Sequence, residues 1–348
     1  MRMLQERPLL RVRVLRMNFA ILMNNKTERK ENRMNTKTIA LACAAAVCGA
    51  AFAAEDGEKP EGWSYTPGEG VSFNETPIVS GEASVAFDSK YLSYGFVDNK
   101  DPILTTAGEI NFFDWLKFGV SAIFDVTKYG HRAGYTSRQF QYTELHPTVT
   151  IGHSFSPEDF EWLPTTVEFA IGYDYEFHPN SKNKGGLNEY ENGWDTSIAE
   201  DTQFVTFELG LPDLWIEPTF LYERDIMRDD GTYLNLEIGH TFNLLGEEDD
   251  TLTLRPSIAQ GLGNGQRVKA YASRKDGEPL NHAGLMDTMI KLELGWKICD
   301  NLSLSGYVGY SDFLFDRKIR DAARSYEATG SWDESWNFVA GLSVALKF

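Results

Sequence analysis

The chain's strongest constraint is a series of twelve segments in which apolar residues recur at every second position: 81–91, 103–112, 116–127, 140–155, 165–177, 202–211, 214–222, 233–244, 252–261, 285–299, 302–311 and 336–348. The fifth is the plainest. Val167, Phe169, Ile171, Tyr173, Tyr175 and Phe177 share one face, and Thr166, Glu168, Ala170, Gly172, Asp174 and Glu176 share the other. A period of two is the mark of a strand with one apolar and one polar side. No long segment carries a helical period. Many of the twelve reach the roughly 9–11 residues that a tilted strand needs to cross a bilayer.

The connections keep a parity. After odd-numbered segments they are mostly long and polar (92–102, 128–139, 178–201, 223–231, 262–284, 312–335). After even-numbered ones they are short (113–115, 156–164, 212–213, 245–251, 300–301). A soluble sandwich has no reason to hold that alternation, whereas an outer-membrane barrel has short periplasmic turns and longer external loops. The expected fold is therefore all-β: a transmembrane antiparallel up-and-down β-barrel of about twelve strands, with both chain ends on the periplasmic side. Aromatics gather at both ends of the segments. Phe112, Trp115, Trp162, Trp215, Trp296 and Phe348 lie by the short turns. Tyr91, Tyr94, Tyr129, Tyr175, Phe177, Tyr222, Tyr310 and Phe313 lie by the long loops. Two such belts are expected where rings meet lipid headgroups.

The N-terminal region reads as export machinery. The apolar run Ile39–Ala54 is short of the roughly 18–20 residues of a spanning helix. It follows Lys37 and ends near Ala51-Phe52-Ala53, the pattern of a cleaved secretory signal. The expected organisation is a translated upstream extension at 1–33, a signal peptide at 34–53, an irregular periplasmic tail at 54–79 and the barrel at 80–348. Residues 1–53 carry ten Lys and Arg against three Asp and Glu, so the remainder has a formal net charge of −25, against −18 for the whole chain. A nucleic-acid binder would have the opposite sign. Past the signal, Cys299 is the single cysteine, which excludes an intrachain disulfide and a cysteine-based metal site.

In a membrane the apolar faces point outward and the polar faces line the lumen. The lumen-facing set then includes Asp88, Glu109, Lys117, Asp125, Glu144, Glu168, Asp174, Glu176, Glu208, Glu217, Glu237, Arg255, Lys291 and Glu293, all acidic except the three bases. Two readings stay open. Acidic walls favour a passing cation in a narrow water-filled channel; alternatively the same charges pair across the lumen and plug it. The long loops, the sixth above all, are placed to fold inward.

The last segment, "SWNFVAGLSVALKF", places Gly341, Val344, Leu346 and Phe348 in a Gly-then-alternating-apolar pattern with a final aromatic. It resembles the terminal assembly signal of outer-membrane barrels, which implies recognition by the barrel assembly machinery and pairing of this strand with the first. The first hairpin, with Tyr91, Tyr94, Gly95 and Pro102, resembles the opening of the TorF-like porins. That resemblance implies an outer-membrane, porin-like protein.

Catalytic chemistry is not legible. A lipid-hydrolysing barrel needs a Ser–His pair with an orienting group. None of His131, His146, His153, His178, His240 and His282 lies in such a segment. "YDYEFHP" places Asp174, Glu176 and His178 on one face at the external rim, read as polar rim residues. "LGEEDDT" (245–251) lacks the spaced oxygen ligands of a calcium loop. "GLGNG" (261–265) is read as opening no helix, and "RVKAYASRK" (267–275) as a solvated basic loop that can touch lipopolysaccharide. The expectation is a non-enzyme with no cofactor and no metal site. Its partners would be outer-membrane lipid and lipopolysaccharide, the assembly machinery and small neutral or cationic solutes, with no nucleic acid. The oligomeric state is not legible.

Overall fold

The computed structural model describes residues 63–66, 68–74, 76–113, 115–127, 140–179, 201–247, 249–272, 279–325 and 335–348. The expected extension and signal, Tyr129 and residues 273–275 lie outside them.

In chain order the strands are β1 (Trp63–Thr66), β2 (Gly70–Phe73), β3 (Thr76–Asp88), β4 (Tyr91–Ser93), β5 (Phe96–Asn99), β6 (Ile103–Phe112), β7 (Leu116–Asp125), β8 (Gln141–Phe155), β9 (Val167–Glu176), β10 (Thr202–Gly210), β11 (Thr219–Asp225), β12 (Thr232–Gly239), β13 (Phe242–Asn243), β14 (Leu252–Gly263), β15 (Gly284–Cys299), β16 (Leu302–Asp312) and β17 (Trp336–Lys347). Among the described residues two helices lie in loops, α1 (Gly265–Tyr271) and α2 (Arg317–Ser325). Twelve antiparallel strands form a ring. β3 pairs with β6, neighbours then follow in chain order to β17, and β17 pairs back with β3. Closure leaves the ring no free strand edge, which hydrocarbon requires.

The seam is in register from Gly341↔Asp88 to Lys347↔Glu82. Beyond it, Phe348 N donates to Gly81 O at 2.9 Å and Gly81 N to Phe348 O at 2.7 Å. The Phe348 ring lies on Gly81, where a Cβ would stand 2.5 Å from the ring. Tyr307, across from Gly341, fills that glycine's empty side-chain position and donates to Asp88 at 2.7 Å. A side chain at 341 would overlap both Tyr307 and Asp88.

The outer surface carries the apolar alternates: Val85, Phe118, Ile151, Ile171, Leu236, Ile290, Val308, Phe338 and Leu342 are all exposed, Phe338 at 64%. A belt of this extent in water would drive association; facing lipid it is the required surface. Trp162 and Trp215 in short turns are 77% and 70% exposed, at the periplasmic belt.

Three expectations differ from the structure. The tail is not irregular throughout, since β1 and β2 form a hairpin that pairs with the start of β3. The segment expected at 214–222 is a strand only from Thr219. Leu214, Trp215 and Ile216 form an exposed apolar turn, closed by Leu211 N to Pro218 O at 3.0 Å. An apolar turn dipping into the membrane interface imitates a strand start. The eighth segment breaks at His240–Thr241, where the Glu217 carboxylate accepts from Thr241 N (2.7 Å) and Oγ1 (3.0 Å).

Candidate functional site: the barrel interior

The external half of the lumen is filled by loops. In the first long loop, β4 and β5 form a hairpin whose turn is Tyr94-Gly95, with φ of 53° and 85°. Two successive positive φ values make a type I′ turn, which suits glycine at its second position. A Cβ on Gly95 would also meet Asp287 and Phe313. The hairpin reaches far. Asn99 donates to Asp125 of β7 at 2.6 Å, Tyr91 to Glu144 of β8 at 3.0 Å, and Tyr94 to Glu223 of β11. Around the ring, β11 is six strands from β3, directly across the barrel, so the first loop spans the full lumen.

Both loop helices pack against it. Asn264 caps α1, its side chain accepting from Arg267 N at 2.9 Å. Val268, Tyr271 and Ala272 then join Phe96, Tyr233, Met286 and Phe313 in one buried cluster, together with Ile319, Ala322 and Ala323 of α2. Arg267 is fully buried. It lies 3.3 Å from Glu223 and 3.3 Å from Asp229, with its guanidinium 4.6 Å over the Tyr94 ring. Burial, then the Glu223 carboxylate, push the Tyr94 phenol well above its usual range, so it remains a donor.

These contacts overturn several sequence readings. "GLGNG" does open a helix, though one of seven residues. Arg267 and Tyr271 of the basic stretch are interior, not solvated. Tyr94 and Phe313 sit in the plug rather than in an aromatic belt. The sixth loop does fold inward, as expected, through α2, but it is the first that crosses the lumen. Asn264 at the helix start is the signal that would have revealed α1. For α2 it is Asp316, which accepts from Lys318 N and Ile319 N, with Ile319, Ala322 and Ala323 at i, i+3, i+4.

Below the plug, toward the short turns, lies a cavity of about 770 Å³. Its lining includes Asn111, Lys117, Glu168, Glu208, Asn235 and Glu237. The other expected interior residues fall into local pairs. Arg255 joins Glu217 (3.5 Å) and Glu237, Lys117 lies 3.2 Å from Glu109, and Lys291 lies 3.1 Å from Glu293. Asp88 is engaged by Tyr307 and Asp125 by Asn99. Glu217 is in a turn at the rim, not on a strand. Among the described residues, Glu168 and Glu208 have no cation in ion-pair contact.

Above the cavity, Asp174 joins a denser group. The bridge Leu145↔Phe177, with backbone hydrogen bonds of 2.9 and 2.8 Å, sets Glu144 opposite His178 and His146 opposite Glu176, all facing inward. His178 Nε2 is 3.0 Å from Glu176 Oε1 and 3.4 Å from Glu144 Oε1. His146 lies 3.1 Å from Glu144 and 3.2 Å from Asp174.

Closed wall, apolar exterior and polar interior together define a transmembrane β-barrel of the outer membrane. No protein-family model matches the chain and no curated protein matches it. Among solved structures, it is similar to an outer membrane channel from Pseudomonas putida F1 at 10% identity, TM-score 0.44, covering 84% of this chain and 100% of that one. It is also similar to the outer membrane protein OpdK from Pseudomonas aeruginosa (9%, TM-score 0.33, 80% and 68%). A third is the translocator domain of the autotransporter NalP from Neisseria meningitidis (10%, TM-score 0.31, 90% and 97%).

Proposed function

We propose that this barrel is a TorF-like porin, a channel for passive diffusion of small neutral or cationic solutes, with its external mouth narrowed by the first, fifth and sixth loops. The observation that carries this is the cavity of about 770 Å³ beside Glu168 and Glu208. Among the described residues Glu168 and Glu208 have no cation in ion-pair contact, and one Arg255 is shared by Glu217 and Glu237, so the cavity has a net negative field, and such a field lowers the energy of a cation within it. Planar-bilayer recordings test this directly. Conductance with cation preference is expected, and Glu168→Gln/Glu208→Gln should lower that preference. Asp174, which lies 3.2 Å from His146, is the poorer choice for such a variant.

A second reading has its own support: the buried cluster across the external mouth favours a plugged structural or adhesive barrel whose loops meet partners. A folded wild-type protein that never conducts would favour this reading and refute the first.

A further inference from the structure

We propose that Glu144, Glu176 and His178 form a binding site for a divalent transition-metal ion inside the external half of the barrel, with His146 and Asp174 orienting it. One ligand atom from each of the three lies within 4.8 Å of the others. The distances from His178 Nε2, 3.0 Å to Glu176 and 3.4 Å to Glu144, match a shared centre. Ligands held about 2.0–2.1 Å from a tetrahedral zinc stand roughly 3.4 Å apart. Imidazole with carboxylates is a ligand set for borderline divalent ions such as zinc, rather than for calcium, which takes oxygen alone.

The surroundings favour a cation. His178 and Glu144 have almost no solvent access. Buried carboxylates are costly unless paired or bound to a metal. The remaining contacts have the form of an outer shell. His146 joins Glu144 to Asp174, Tyr91 donates to Glu144, and Asp201 accepts from His178 N at 2.7 Å. Such contacts hold ligands in orientation. The sequence does not reveal the site, because the ligands come from two segments with no ligand-spacing motif and meet only through the Leu145↔Phe177 bridge. Binding does not require that the barrel conduct.

The test is calorimetric titration of Zn²⁺ into purified, chelator-stripped, folded protein, with folding of each variant read from heat-modifiable gel migration. Saturable binding of one ion per barrel is expected. Losing an outer-shell partner alone typically weakens metal binding 10–100-fold, so Glu176→Gln or His178→Asn should weaken it by at least about tenfold. The exterior variant His153→Asn should bind as wild type. If His178→Asn does not fold, Glu176→Gln alone decides. Co²⁺ bound to wild type should also show the strong visible absorption of a four-coordinate site, which Glu176→Gln should abolish. No saturable binding by wild type, or equal affinity in wild type and Glu176→Gln, overturns the proposal.

Discussion

Replacing Arg267 with Ala removes the cation that joins the first loop, the fifth loop and the far wall. Its guanidinium meets Glu223 and Asp229 at 3.3 Å each and stacks over Tyr94. Removing one partner of a buried ion pair costs about 3–5 kcal/mol, because the charge left behind is uncompensated. Here the cost falls on the closed arrangement of the plug, since Arg267 belongs to no strand of the wall. At about 1.4 kcal/mol per tenfold, the open-to-closed ratio should rise roughly a hundredfold to a few thousandfold. The assay is single-channel recording in planar bilayers. Arg267→Ala should show long open dwells of higher conductance than wild type. Arg267→Lys should fall between, keeping the charge but losing the planar fork that stacks and meets two carboxylates. If folded Arg267→Ala conducts as wild type does, Arg267 does not hold the plug shut. A wild-type protein resting fully open would equally refute the argument.

Further predictions concern the seam and the turns. Gly341→Val forces out Tyr307 and breaks its bond to Asp88; overpacking of this kind costs about 1–3 kcal/mol, and heat-modifiable migration should be lost at a lower temperature. Phe348→Asn removes the ring on Gly81 and should reduce membrane assembly more than single-channel conductance; normal insertion of that variant counts against a role in assembly. Asp213 accepts from Thr166 Oγ1 and N, which holds its carboxyl below the usual range. A depressed carboxyl adds stability above the unfolded value and loses it as pH falls through the folded value. Asp213→Asn should therefore be less stable than wild type at neutral pH, with the difference shrinking in acid.

The wall was legible because its signal is local. The period of two, the turn parity and the terminal Phe348 each arise from neighbours in sequence, and the segment at 103–112 is the strand β6 residue for residue. Errors in the wall came where local composition misled, as at Leu214-Trp215-Ile216. The plug was not legible because nothing in "YLSYGFVDN" specifies Glu223, 129 residues away from Tyr94. Its polar letters look like a solvated loop, although Asn99 is fully buried. The metal-ligand set was hidden for a related reason. Asp174, Glu176 and His178 were seen on one face, but Glu144 and His146 belong to the next strand and join them only through pairing.

The hairpin that spans the lumen is tied to the wall by side chains, while β4 and β5 pair with each other in a sheet separate from that of the wall. No ladder hydrogen bond of the barrel has to break for it to leave. Stopper and wall are then separate cooperative units, and amide exchange should resolve them. Amides of β4, β5 and α1 should exchange through a shallow opening while those of the ladder stay protected until the barrel itself unfolds. A bilayer-bound cylinder can in this way contain a small soluble-like domain, one that melts on its own schedule inside an intact wall.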